Sequence, residues 1–436
     1  MNLRQDIKSL VGYKFVQDSA YIFVSYVILA VSGIIANILI GNTYGAEGLG
    51  VFNQTVALYM IFGLIAVFGL NTSVVKYVAQ YNKETDIQKE IFTSASLLTT
   101  GISIILTLIL SLLAACFPSL YFNIDVTRSL TIIVLSLPFF SQNKIFMALL
   151  NALRHMKTYA IIQSTRWILI ISFILISIFL KKSVYFLSYS FLFSELVIFI
   201  YFSVFYSKYF SLRYRRTSWY RTHWIFGSKS VLLGFLSETN NRIDIFFISF
   251  FLSNYYVGIY SFAAEIAKGF LNIASVIQLN VNPIVSDLWV KKDLETLKKY
   301  TLNISKMMFI IICPLLIVAA LVYPFFVNLF MSNKAYLESI PVFYILLAGI
   351  SLPAIYYFAG AYLTMANFLN TSLKNLIIIL IYNALSCFLF LHIFGFYGAA
   401  ISTSTTYILY VILIQYYVKK KMGITLIVFK SRHKAQ

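Results

Sequence analysis

Glu238, Arg242 and Asp244, and further along Glu265 and Lys268, interrupt two long runs of Leu, Ile, Phe and Val. A charge in the middle of a bilayer-spanning helix costs roughly 2.5–3.5 kcal/mol on insertion scales, so its retention needs a use. Glu238 and Arg242 are four residues apart, and Glu265 and Lys268 three, spacings that put each pair on one helix face. Two chemistries fit. The charges neutralise one another and hold adjacent helices together, or they form a polar wall that meets a substrate or coupling ions in the bilayer. In the second case Glu238, Asp244 and Glu265 are the candidates for proton or sodium coupling.

Three more charges fall inside apolar runs: Lys144, Arg166 and Glu195. Lys144 stands roughly 10 Å from the cytoplasmic end of its run by helical rise. Arg166 is at a similar depth, and stems of this length can snorkel to the interface. The polar run Ser141-Gln142-Asn143 and a kink expected at Pro138 turn Lys144 towards a cavity instead. Gln278, Asn280, Asn282 and Pro283 form a comparable polar patch. Tyr356, Tyr357 and Tyr362 are open to two readings, stacking against sugar rings or ordinary packing at the membrane interface.

The elements that must position these residues are membrane spans. The chain is 60% hydrophobic and 11% charged, against about 25% charged for soluble domains. A span needs about 20 apolar residues. Twelve candidates run approximately over 16–40, 51–75, 91–117, 129–150, 159–180, 184–206, 229–252, 257–284, 305–330, 340–364, 373–394 and 397–418. The runs are continuously apolar, which excludes the alternating strands of a β-barrel. The first is too long for a signal-peptide core and reads as an uncleaved helix.

The net charge of +19 is topological. With the N-terminus cytoplasmic, 26 Lys and Arg fall on inner loops and tails and only Arg128, Lys181, Lys182 and Lys334 on outer loops. Both termini are then cytoplasmic, and nucleic acid is not implied. Cys116, Cys313 and Cys387 lack metal or disulfide spacing, and the four histidines form no ligand pattern. No metal or cofactor is expected. No phosphate-cradling GxxxxGK[ST] loop occurs, which argues against ATP hydrolysis.

The sequence repeats itself at an offset of about 208–214 residues. Gly50-Val51-Phe52 matches Gly258-Ile259-Tyr260, Leu70-Asn71 matches Leu279-Asn280, and the charged segment 83–89 matches 292–298. Six spans per half make these parallel repeats about an axis along the membrane normal. The expected organisation is a lobe at 1–206, a basic cytoplasmic linker at 207–228 lying on the anionic leaflet, and a second lobe with a basic tail at 229–436.

Several stretches are similar to bacterial polysaccharide repeat-unit flippases of the Wzx type, in the multidrug/oligosaccharidyl-lipid/polysaccharide exporter superfamily. They are Tyr44-Gly45-Ala46-Glu47-Gly48-Leu49-Gly50-Val51-Phe52-Asn53, Val74–Ala79, Ile243-Asp244 with Val257–Ser261, and Gly395–Ile401. The resemblance implies an all-α membrane protein with twelve helices in two six-helix halves around a central cavity. It implies transfer of an undecaprenyl-diphosphate-linked oligosaccharide from the inner to the outer leaflet of the bacterial cytoplasmic membrane, for O-antigen or capsule. Lys144, Arg166, Arg242 and Lys268 are the positions matching cavity cations that would engage the diphosphate. Membrane lipids, a polysaccharide polymerase and a chain-length regulator are the implied partners. The first span lacks the internal arginines of lipid II flippases, which argues against a peptidoglycan precursor. A drug exporter of the same superfamily would have an acidic cavity, whereas the eight charges inside the spans balance. A membrane polymerase would show a large outer loop with basic residues, and an acyltransferase a prominent intramembrane His; neither is found.

Overall fold

The computed structural model describes residues 13–81, 83–116, 123–211, 213, 218–366 and 368–426, and every regular element among them is a helix. An apolar run in lipid has no solvent partner for its backbone, so it closes its hydrogen bonds within itself. In chain order the α-helices are α1 (Tyr13–Val67), α2 (Leu70–Gln80), α3 (Thr85–Cys116), α4 (Ile124–Ile133), α5 (Leu137–Ala152), α6 (Met156–Phe179) and α7 (Tyr189–Phe205). They continue with α8 (Trp219–Phe251), α9 (Asn254–Val290), α10 (Leu294–Phe330), α11 (Ser339–Tyr356), the one-turn α12 (Tyr362–Met365), α13 (Leu369–Phe394) and α14 (Phe396–Met422).

Among the described residues nine helical stretches are long and apolar enough to cross a membrane. The first, Ala20–Val67, is two segments joined across a kink at Gly45, whose φ of 71° favours glycine. The 33-residue α8 and 37-residue α9 coincide with the spans expected at 229–252 and 257–284 but are not among the nine. They carry Glu238, Arg242, Asp244, Glu265 and Lys268, and those charges lower their apolarity. Elsewhere large apolar side chains face outward in stripes. Leu108 and Leu112 of α3 are 64% exposed, and Phe325 and Leu329 of α10 are 77% exposed. Stripes of this kind would drive aggregation in water and suit a hydrocarbon surround.

The chain divides into two compact units, one of Met1–Thr43 with Val51–Glu238, the other of Tyr44–Gly50 with Thr239–Gln436. The described part of the expected linker falls in the first unit, and the boundary runs inside α8. Arg215 and Arg216 lie outside the described residues.

In the first unit Phe146 stacks on Phe202 at 4.8 Å, and Tyr59 meets Phe140 and Phe191 edge-on. The kink expected at Pro138 takes the form of a break. α4 ends at Ile133, a 3₁₀ turn covers Val134–Ser136, and Pro138 sits in the first turn of α5, where no intrahelical N–H is needed. In the second unit Tyr323 stacks on Phe343 at 3.8 Å. The α11 helix carries Pro353 and gives way to a 3₁₀ turn over Tyr357–Ala361.

Matched elements start at matched places. α3 and α10 begin at Thr85 and Leu294, 209 residues apart, and α6 and α13 at Met156 and Leu369, 213 apart. Within the second unit the repeat closes on itself. A Cβ on Gly50 would fall 1.8 Å from the Asn254 carbonyl oxygen, and one on Gly258 would fall 1.8 Å from that of Ala46. The two contacts are reciprocal, since 46 and 254, like 50 and 258, differ by 208. Only glycine permits this approach on both sides.

Gly50→Ala and Gly258→Ala should therefore each destabilise the protein by about 1–3 kcal/mol through overpacking. Gly33→Ala, at a helical position with open space around it, should be neutral or slightly stabilising. Unfolding midpoints of the three purified variants in detergent check this.

Candidate functional site

Each unit buries a carboxylate and gives it a cation. In the first, Glu195 on α7 is 1% exposed and Arg166 on α6 is 6% exposed. Arg166 Nε lies 2.8 Å from Glu195 Oε1, a charge contact not aligned as a hydrogen bond. Its Nη2 donates to Oε2 at 3.3 Å and its Nη1 to Gln163 Oε1 at 3.2 Å. Asn143 on α5 donates through Nδ2 to Glu195 Oε2 at 2.7 Å and to its carbonyl at 2.8 Å. Arg166 is thus held inside and does not snorkel. The polar run on α5 supplies structure as well: Gln142 donates to the Ser96 carbonyl and to Thr100 Oγ1 on α3.

Lys144, the next residue on α5, is different. Its Nζ lies 5.2 Å from the centre of the Phe140 ring and makes no hydrogen bond or ion pair with any described residue. It opens onto a cavity of about 280 Å³ within the first unit, lined also by Met60, Leu64, Asn71, Thr72, Phe140, Ser230, Val231 and Glu238. One ammonium and one carboxylate line this wall, amid apolar and small polar side chains.

In the second unit Asp244 on α8 is 2% exposed. Its Oδ1 accepts from the Ile245 N–H at 2.9 Å. Its Oδ2 accepts from the Tyr260 hydroxyl on α9, from Thr403 Oγ1 on α14 at 3.4 Å, and from Lys268 Nζ on α9 at 3.4 Å. Lys268 also donates to the Asn241 carbonyl at 2.8 Å. Beside this cluster Asn383 on α13 donates to Asn240, and Ser402 donates to Asn383 Oδ1 at 3.2 Å.

This partnering corrects one expectation from spacing. Lys268 pairs across helices with Asp244 and not along its own helix with Glu265. The buried carboxylate cannot remain ionised without a cation, whereas Glu265 is exposed and keeps its hydration. Glu238 and Arg242 fall on either side of the unit boundary, both half-buried on α8. Tyr362 is fully buried with its hydroxyl 3.0 Å from Thr301 Oγ1, which is the packing reading of that residue. Gln278 Nε2 donates to the Tyr357 carbonyl at 2.9 Å. Among the described residues no three His, Cys, Asp or Glu converge as a metal site.

Sequence reasoning left Tyr260 and Thr403 out of the site and gave Glu195 no role. Asn53 Nδ2 donates to Asn37 Oδ1 at 2.9 Å in the first unit. At the offset of 208 set by Gly50 and Gly258, Tyr260 corresponds to Phe52 and Asp244 to Ala36, so the repeat gave no signal for either.

A buried ion pair is costly to break from one side. Arg166→Met should destabilise by about 3–5 kcal/mol, because Glu195 keeps its charge without a partner. Arg166→Met with Glu195→Gln should recover most of that loss, since the amide oxygen still accepts from Asn143. Thermal unfolding of the single and double variants in detergent measures it.

A family model described as polysaccharide biosynthesis protein matches residues 55–341. Among solved structures, the chain is similar to an inward-facing multidrug resistance MATE family transporter of the MOP superfamily. The TM-score is 0.77 at 16% identity, over 90% of this chain and 94% of that one. It is also similar to the lipid II flippase MurJ in an inward closed conformation, with TM-score 0.75, 16% identity and coverage of 93% and 87%. A MOP superfamily transporter from Pyrococcus furiosus aligns with TM-score 0.69 at 16% identity over 93% and 95%. A search of curated protein sequences gives no significant match. The fold is that of the MATE and MurJ transporters, in a multi-pass membrane protein.

Proposed function

Because the chain belongs to the polysaccharide biosynthesis protein family, we propose that it is a flippase and not an enzyme, moving lipid-linked oligosaccharide repeat units across the bacterial cytoplasmic membrane. The substrate is an undecaprenyl-diphosphate-linked oligosaccharide destined for O-antigen or capsule. The working form has twelve spans in two parallel halves with both termini cytoplasmic, and it operates by alternating access. A polymerase and a chain-length regulator take the product onward.

The observation that carries the reading beyond the family is the state of the basic residues. Arg166 and Lys268 already face carboxylates, at 2.8 and 3.4 Å. Lys144 faces none within ion-pair distance among the described residues and opens onto the cavity. An ammonium that shares its largely apolar wall with Glu238 but has no carboxylate at ion-pair distance is open to an anion, and a lipid diphosphate supplies one. Phe140 and Met60 beside it suit the prenyl chain. Outward movement of a dianion gains about 2.3 kcal/mol per charge per 100 mV of inside-negative potential. Arg242 remains a candidate for diphosphate binding in its own right, and Glu238, Asp244 and Glu265 remain the coupling candidates.

Deletion in the native host should stop surface polysaccharide while the lipid-linked repeat unit accumulates on the cytoplasmic leaflet. Normal glycan in a strain with no redundant flippase, or a change confined to drug susceptibility, would overturn the assignment. Lys144→Gln should abolish complementation with protein abundance near normal, because Lys144 makes no hydrogen bond or ion pair with a described residue and its contact with Phe140 is a cation–π one. Full complementation by Lys144→Gln would remove Lys144 from the diphosphate site.

A further inference from the structure

His223 is fully buried in the first unit and uses both ring nitrogens, though nothing in the proposed transport step needs it. It lies six residues before the apolar run expected at 229–252, on the first turns of α8. Nδ1 is 2.8 Å from Ser73 Oγ on α2, and Nε2 is 3.1 Å from both the Ile91 carbonyl and Ser94 Oγ on α3. The carbonyl can only accept, so Nε2 carries the proton and Nδ1 accepts from Ser73, an assignment made from the partners. One neutral imidazole therefore ties three helices together.

Two of these helices, α2 and α8, line the Lys144 cavity. One turn along the α2–α8 seam, a Cβ on Gly227 would fall 2.6 Å from the Phe68 carbonyl oxygen. Further on, Gly69 and Asn71 on one side and Ser230 and Glu238 on the other line the cavity itself. On these α8 turns Trp224 packs on the Phe68 ring at 4.7 Å while staying 53% exposed, and Ile225 is 49% exposed. We propose that His223 is the latch of a movable gate, clasping the first turns of α8 to α2 and α3 over the Lys144 cavity, and that protonation of its ring releases them.

No described charge offsets a protonated ring there. On α2 the neighbours are Tyr77 and Lys76, whose ammonium lies over the Tyr77 and Phe226 rings at 5.0 and 4.8 Å. At the start of α3 Asp86 and Lys89 pair with each other at 3.8 Å, and Glu90 follows. On α8 itself Arg221 is exposed, and Trp219 stacks near the imidazole at 6.0 Å. None of these carboxylates makes an ion pair with His223. Burial pushes the imidazole from its ordinary 6.5 down to about 4. A depressed histidine favours the clasped form above pH 6.5, and that preference fades as pH falls towards 4. Between pH 7.5 and pH 5 the released form should gain roughly 30-fold on the clasped one by this linkage.

The proposal is independent of the flippase reading and its test uses no substrate. Leu70 is fully buried with Cδ2 against Gly227, so Leu70→Cys reports departure of α8. In full-length protein with Cys116, Cys313 and Cys387 changed to Ser, its reaction with a hydrophilic maleimide is followed in detergent from pH 7.5 to 5. The rate is divided at each pH by that of a cysteine at exposed Gln80. The normalised rate should rise by up to about 30-fold in the parent. His223→Gln, whose amide reproduces the donor and acceptor without titrating, should give a low, flat profile. His223→Ala should be fast at every pH if it folds. A flat profile in the parent, or a rise that survives His223→Gln, would overturn the latch.

Discussion

A charge placed inside an apolar helix must find its counter-charge within the protein, because hydrocarbon offers none. Much of the polar architecture here follows from that requirement. Glu195 draws Arg166, Asn143 and, through the arginine, Gln163 into one knot on α5, α6 and α7. Asp244 does the same for α8, α9 and α14 through Lys268, Tyr260 and Thr403. These knots tie their helices together and occupy two of the four basic residues inside the spans, while Lys144 lines a cavity instead. The site is defined as much by which charges are satisfied as by which are present.

The knots also separate what the sequence could reveal from what it could not. Helix after helix was legible from unbroken apolar runs, because length and hydropathy alone dictate that backbone closes on itself in lipid. The repeat was legible too, from weak matches in a constant order. Partners were not. Glu265 and Lys268 sit three residues apart and invite pairing, but Asp244 is nearer in space and more deeply buried. Arg166 has the depth of a snorkelling side chain, yet Glu195 lies on the next long helix. Rules that act along one helix see neighbours within four residues; a desolvated carboxylate recruits across helices.

The segment 207–228 shows the same limit. Its basic residues suggest a linker lying on the leaflet, and they do not disclose that His223, Trp219 and Gly227 within it pack against α2, α3 and the turn before α2. Charge content carries no record of such packing. A single histidine beside Trp224 was the available clue, and one residue of that kind is uninformative without its neighbours in space.

The glycine crossing at 50 and 258 carries a constraint of its own. A contact in which position i meets position j, and the copy of i meets the copy of j, is isologous, the kind two identical subunits make about a twofold axis. In a dimer of identical subunits a change there would be suffered twice, once on each face. In a single polypeptide the two positions are separate, so a side chain at Gly50 meets the Asn254 carbonyl and one at Gly258 meets the Ala46 carbonyl as independent events. Repeats within one chain can therefore diverge in charge and hydrogen bonding elsewhere while this crossing holds each of them to glycine.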